Sequence, residues 1–237
     1  MLQKLPLANL IFLDVETVPQ HANFKDLDEE WQELWTKKSA YQRKDQFTPE
    51  AFYDRAAIWA EFGKIICISV AYINPDTNYR QLRVTSFAGE EADLLKKFKN
   101  ILEGHFAHRK YVLCAHNGKE FDFPYIARRM LIHGITLPEK LNLFGKKPWE
   151  IPHLDTMELW KFGDFKHFTS LKLLTKIFGI PSPKDDIDGS QVRDVFYNDQ
   201  NLERIIQYCE KDTIAVAQLV LKMRGEALLE EHEIITI

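Results

Sequence analysis

Two acids one position apart, Asp14 and Glu16, close the apolar run Asn9-Leu10-Ile11-Phe12-Leu13-Asp14-Val15-Glu16-Thr17. Side chains alternate along an extended chain, so both carboxylates leave the same face near the end of an expected strand. Two acids side by side there are costly without a positive partner, and hard oxygen donors suit Mg²⁺ or Mn²⁺. The triplet alone is a weak sign, because Asp28-Glu29-Glu30 repeats it with no apolar strand ahead. Asp122 follows the turn His116-Asn117-Gly118 and opens an expected helix, where a capping or dipole-favoured acid is the ordinary reading. Tyr208 and Asp212 stand four apart and share a helix face. Tyr41/Asp45 and Tyr72/Asp76 have the same spacing, so only the setting of Tyr208, in a long C-terminal helix, sets it apart.

The elements that must position these residues follow from hydrophobic patterning. The first strand ends at the two acids, and a polar, aromatic-studded helical insertion at about 19–62 separates it from the second. Within the insertion, 28–38 and 49–61 have helical spacing, with Trp31, Leu34 and Trp35 on one face and Ala51, Phe52 and Ile58 on another. Thr48-Pro49-Glu50 reads as an N-cap and first turn. Residues 64–73 form a buried strand, 74–78 a turn and 79–87 an outer strand of the same hairpin. An amphipathic helix spans 89–106, with Leu94, Leu95, Phe98, Ile101 and Leu102 inward. A short strand at 111–115, a helix at 121–133 and a last short strand ending at Asp155 follow. The remainder to about 229 is helical, broken near Gly163, 179–183 and Gly189, and its final helix turns Ile205, Ile206, Ala215, Leu219 and Val220 toward the sheet. A hairpin followed by strand–helix alternation predicts an α/β domain: a mixed central sheet of about five strands flanked by helices. In such sheets ligands bind beyond the carboxyl ends of the strands, where Asp14 and Glu16 fall.

The 237 residues fit one domain over 1–237, with 45% apolar and 28% charged residues, ordinary values for a globular protein. Cys67, Cys114 and Cys209 are odd in number and far apart, which argues against a disulfide framework and a structural zinc site. They read as core thiols in a reducing compartment. No stretch reaches the roughly 18 apolar residues of a membrane helix, and no signal peptide is evident; a cytoplasmic protein is expected. The net charge of −4 does not by itself call for nucleic acid.

Taken in order, Asp14-x-Glu16, then His116-Asn117-x-x-x-Phe121-Asp122-x-Pro124-Tyr125, then Tyr208-x-x-x-Asp212 resembles the DEDD superfamily of 3′–5′ exonucleases. More narrowly the chain is similar to the tyrosine-bearing branch, as a stand-alone relative of the proofreading domain of family B DNA polymerases. The runs at 61–70 and 188–192 share that likeness, which spans 9 to about 223. Position 207, near where the histidine-bearing branch carries its histidine, is Gln. The resemblance implies a ribonuclease H-like fold and hydrolysis of the terminal phosphodiester of single-stranded nucleic acid, DNA before RNA, with release of nucleoside 5′-monophosphates. It implies two divalent ions, Mg²⁺ or Mn²⁺, about 4 Å apart. Asp14 would bridge them, Glu16 and Asp212 would complete one, Asp122 would hold the other, and Tyr208 would orient the attacking water. Thr17, Asn117 and Phe121 match positions near the terminal nucleotide; a strand-end hydroxyl, a turn residue and a core aromatic are their plainer readings. Lys146, Lys147, Lys161, Lys166, His167 and Lys172 are candidate phosphate contacts or solvated surface. Asp155 reads as a cap or supporting acid, and 185–188 as turn chemistry. A catalytically silent binding module, or a proofreading subunit of a separate polymerase, are the alternatives.

Overall fold

The computed structural model describes residues 2–44, 46–75, 80–164, 168–181 and 187–237. Asp45, the 76–79 end of the expected turn and hairpin, Lys166, His167, Asp185 and Asp186 lie outside the described residues.

The sheet is built on β1 (Leu10–Pro19), which pairs antiparallel with β2 (Gly63–Ile73); β2 pairs antiparallel with β3 (Leu82–Ala88). On the other side of β1, β4 (Val112–Ala115) runs parallel to it, and β5 (Leu154–Asp155) runs parallel to β4. A sixth strand, β6 (Ile234–Thr236), joins β3 in parallel, giving the order β5-β4-β1-β2-β3-β6. Among the described residues the sheet has six strands, in keeping with the expected mixed sheet of about five. The missed strand is a three-residue, half-exposed edge, too short to show alternation.

Alternation along β1 divides the core in two. Ile11, Leu13 and Val15 face α2 (Glu91–Glu103) and α3 (Asp122–Ile132), packing with Leu94, Phe98, Phe123 and Ile126. Leu10 and Phe12 face α7 (Leu202–Arg224), packing with Val216, Ala217 and Val220. Helix α7 is started by the Asn201 side chain, which accepts from the Arg204 N–H at 3.1 Å, and ended by Gly225 at φ 74°. Among the described residues of the C-terminal half, three short helices, α4 (Thr156–Lys161), α5 (Leu171–Phe178) and α6 (Val192–Tyr197), accompany α7. No helix among the described residues is long and apolar enough to cross a membrane.

The insertion holds one long helix, α1 (Glu29–Arg43), capped by the Asp28 side chain. Only Trp35 of its expected face is buried; Trp31 and Leu34 remain 41% and 44% exposed. The second expected helix, 49–61, is instead a run of turns and a 3₁₀ segment, Tyr53–Ile58, although Thr48 does cap its start. The reason lies in the carbonyls. That of Ala57 accepts from Thr17 and Tyr125 on the main body, where a regular helix would have engaged it internally, and that of Ala60 accepts from Arg129.

Candidate active site

On β1 the row facing α7 reads Leu10, Phe12, Asp14, Glu16, Val18: apolar, then two acids, then apolar. Leu10 and Phe12 pack on the C-terminal half of α7, and Val18 packs with Ile205 near its start. Helix α7 thus runs antiparallel to β1, and its middle turns, which carry Tyr208, Cys209 and Asp212, cross the two acids. The sheet-facing row of α7 has the matching order Ile205, Cys209, Thr213, Val216, Val220, all buried. Polar residues on the strand meet polar residues on the helix, with apolar packing above and below.

Asp14 and Glu16 lie opposite Ser69 and Cys67 of β2. Directly after Glu16 the register slips, so that Thr17 pairs with Ile65 and Ile66 is left as a bulge. Asp122 enters from the other edge. Pairing of β1 with β4 stops at Phe12, and beyond it the Val15 N–H donates to the Asp122 carboxylate. Asp155 supports this end: its carboxylate accepts from the N–H groups of Asn117 (3.0 Å), Lys119 (3.1 Å), Met157 (2.9 Å) and Glu158 (3.3 Å). It therefore both caps α4 and fixes the turn that leads to α3.

Five candidates, Asp14, Glu16, Asp122, Tyr208 and Asp212, act on one another electrostatically. Burial, then Glu16, Asp212 and Asp122, push the Asp14 carboxyl well above the usual carboxylate range. Burial, then Asp212, Cys67 and Asp122, do the same to Glu16. Asp122 is pushed up to about 7, chiefly by burial, with the charge of Asp155 adding. The Tyr208 phenol, which donates to Asp212, is pushed far above its usual range by burial and by Asp212, Glu16 and Asp14. Carboxylates crowded in a low-dielectric pocket repel one another, and a multivalent cation relieves both burial and repulsion. The donor set fits a hard divalent ion. Asp14, Glu16 and the Cys209 sulfur, a neighbour that spacing did not flag, lie within 4.8 Å of one another.

The three candidates for nucleotide contact each have a partner inside the protein. The Thr17 hydroxyl donates to the Ala57 carbonyl at 3.0 Å, joined there by Tyr125 at 2.8 Å. Asn117 sits in the left-handed region at φ 64° and turns the chain from β4 toward α3. Phe121 tilts against Tyr125, ring centroids 5.2 Å apart. Among the basic candidates, Lys147 lies 5.3 Å over Trp149 and Lys161 lies 4.4 Å over Phe168.

Residues 58–232 match the model of a family described as "Predicted 3′-5′ exonuclease related to the exonuclease domain of PolB". The matched interval holds Asn117, Phe121, Asp122, Tyr208 and Asp212 and begins after Asp14, Glu16 and Thr17. Among solved structures, the chain resembles the family B DNA polymerase of the hyperthermophilic archaeon Pyrobaculum calidifontis, with a TM-score of 0.55 and 14% identity. That likeness covers 91% of this chain but 25% of the polymerase, so the chain spans a quarter of that protein. With the mixed sheet and its flanking helices, it identifies the fold as ribonuclease H-like α/β.

Proposed function

Because the chain belongs to the family of predicted 3′–5′ exonucleases related to the exonuclease domain of PolB, we propose that it trims single-stranded nucleic acid from the 3′ end. DNA is the favoured strand over RNA, and nucleoside 5′-monophosphates are the products. The observation that carries this reading is the crossing of α7 over β1, which brings Tyr208 and Asp212 onto the Asp14–Glu16 pair while Asp122 reaches in from α3. All of residues 1–237 serve as one exonuclease domain, with 19–62 as its insertion.

Asp14, Glu16, Asp122 and Asp212 would hold divalent ions, Mg²⁺ or Mn²⁺. Such ions supply charge stabilisation to the attacking and leaving oxygens of an in-line displacement. The protein's own share is arrangement. The packed row on β1 fixes two carboxylates on a rigid strand, and Asp155 fixes the turn ahead of Asp122. Tyr208, a phenol whose proton is held more tightly than usual, donates a hydrogen bond and orients water; it does not take the proton away. Asn117 and Phe121, at the carboxyl end of β4, and Thr17, beyond Glu16, border the place of the terminal nucleotide.

The test is degradation of 5′-labelled single-stranded DNA and RNA oligonucleotides with Mg²⁺ or Mn²⁺. A ladder shortening from the 3′ end, absent in Asp14→Ala, is expected, faster on DNA. Intact strands under both metals would refute the reading.

A further inference from the structure

Cys209 is the residue in this region that the exonuclease reading leaves without a task. It is fully buried, and its Sγ lies 3.4 Å from the Asp14 main-chain oxygen and 3.5 Å from Asp14 Oδ2. Its position in the helix is a core position: Ile205, Thr213 and Val216 share the row. A thiol is a small hydrophobe that still carries a weak donor. In this place the donor faces both ends of one acid, its backbone carbonyl and its carboxylate. Resting on the exonuclease reading, we propose that Cys209 is a positioning residue, whose thiol holds the Asp14 side chain in the orientation that receives the divalent ion.

Two surrounding observations support the assignment. The thiol is itself held in place. Cys67, opposite Glu16 in the register, lies against it, and Thr213 donates to the Cys209 carbonyl at 2.9 Å. Ser69, opposite Asp14, approaches Cys67 at 3.8 Å and continues through Ser86 (2.8 Å) to Glu210 (2.8 Å). A polar row, buried at Cys67 and Ser69 and half-buried beyond, thus backs the thiol across two strands and returns to α7.

Groups that orient metal ligands cost about 10–100-fold in metal affinity when removed. The experiment is calorimetric titration of Mn²⁺ into the metal-free protein and into Cys209→Ala, Cys209→Val and Cys209→Ser, with the melting temperature of each metal-free variant recorded. Cys209→Ala and Cys209→Val, which lack the donor, should each weaken Mn²⁺ by about 10-fold or more. Cys209→Ser restores an O–H donor and should recover most of that loss. Cys209→Val keeps the core filled, so the comparison survives if Cys209→Ala folds poorly. Wild-type affinity in the Ala and Val variants, or equal loss in all three, would overturn the proposal and leave the exonuclease reading standing. No Mn²⁺ binding by the wild type would overturn both.

Discussion

Tyr208 is the residue whose chemistry is easiest to misjudge. On the proposed reading this phenol stands beside the attacking water, which invites the role of base, yet burial and three carboxylates hold its proton more firmly than in water. Orientation is what remains. Tyr208→Phe is accordingly expected to lower kcat by about 10²-fold, the scale of a misplaced reactant, with little change in KM; steady-state kinetics on a single-stranded oligonucleotide checks this. The acids make a second prediction. Asp122 is pushed up to about 7, and Asp14 and Glu16 lie well above the usual range, whereas in the unfolded chain such groups lose protons near pH ~4. Protons bound in the folded state but not in the unfolded one favour folding below that value, and the advantage is lost as pH rises, for Asp122 through about 7. His116 and His153 act oppositely: burial lowers both, His153 to about 4, so their contribution grows as pH rises and levels off. It is flat above about pH 6.5. Between about pH 6.5 and 8 the melting temperature of the metal-free protein should therefore fall, less so in Asp122→Asn, by differential scanning fluorimetry. On the proposed reading Mn²⁺ would displace those protons and should stabilise more at the upper end. Flat melting curves with and without Mn²⁺ would contradict this. At this scale the sequence was readable where a rule of period applied. Alternation alone puts Asp14 and Glu16 on one face, and i,i+4 spacing pairs Tyr208 with Asp212. That α7 lies across β1 follows from no local rule, and Cys209 therefore read only as a core thiol.

At the level of elements, the insertion is held by directed bonds rather than left free. Tyr197 of α6 donates to the carbonyls of Pro19 (2.6 Å) and Gln20 (3.0 Å), and Arg193 to that of Ala22 (2.6 Å). Buried Arg129, paired with Glu91, donates to Ala60. Gly63 lets this junction close, since a Cβ there would sit 2.2 Å from the Tyr125 hydroxyl and 2.9 Å from the Ala57 oxygen. Gly63→Ala should destabilise by about 1–3 kcal/mol, the range for overpacking, and speed amide exchange in 20–62, measurable by mass spectrometry; unchanged exchange there would count against the clamp. Asp155→Ala strands four N–H groups at the turn before α3 and at the start of α4. A loss of about 2–4 kcal/mol is expected from a missing cap and unpaired donors, read from the urea midpoint at constant slope. Long amphipathic elements such as α2 and α3 were legible from their periodicity. The 49–61 stretch was not, because its backbone carbonyls answer to partners elsewhere in the chain.

For the molecule as a whole, the strand–helix order predicted the mixed sheet, and its outer edge escaped. β6 is placed by long-range contacts: Arg80 binds the carbonyls of Ala227 and Leu228 (2.7 Å each) and the Glu233 carboxylate (3.1 Å), docking the chain beside β3. No three-residue pattern announces such a pairing. The central claim is the direction of attack on a strand, and a single-stranded oligonucleotide labelled differently at its two ends tests it most directly. With Mn²⁺ present, the 3′ label should leave first as a mononucleotide while the 5′ label remains on steadily shorter strands, and Asp14→Ala should release neither. Loss of the 5′ label first, internal fragments without 3′ trimming, or equal cleavage by Asp14→Ala would contradict the account.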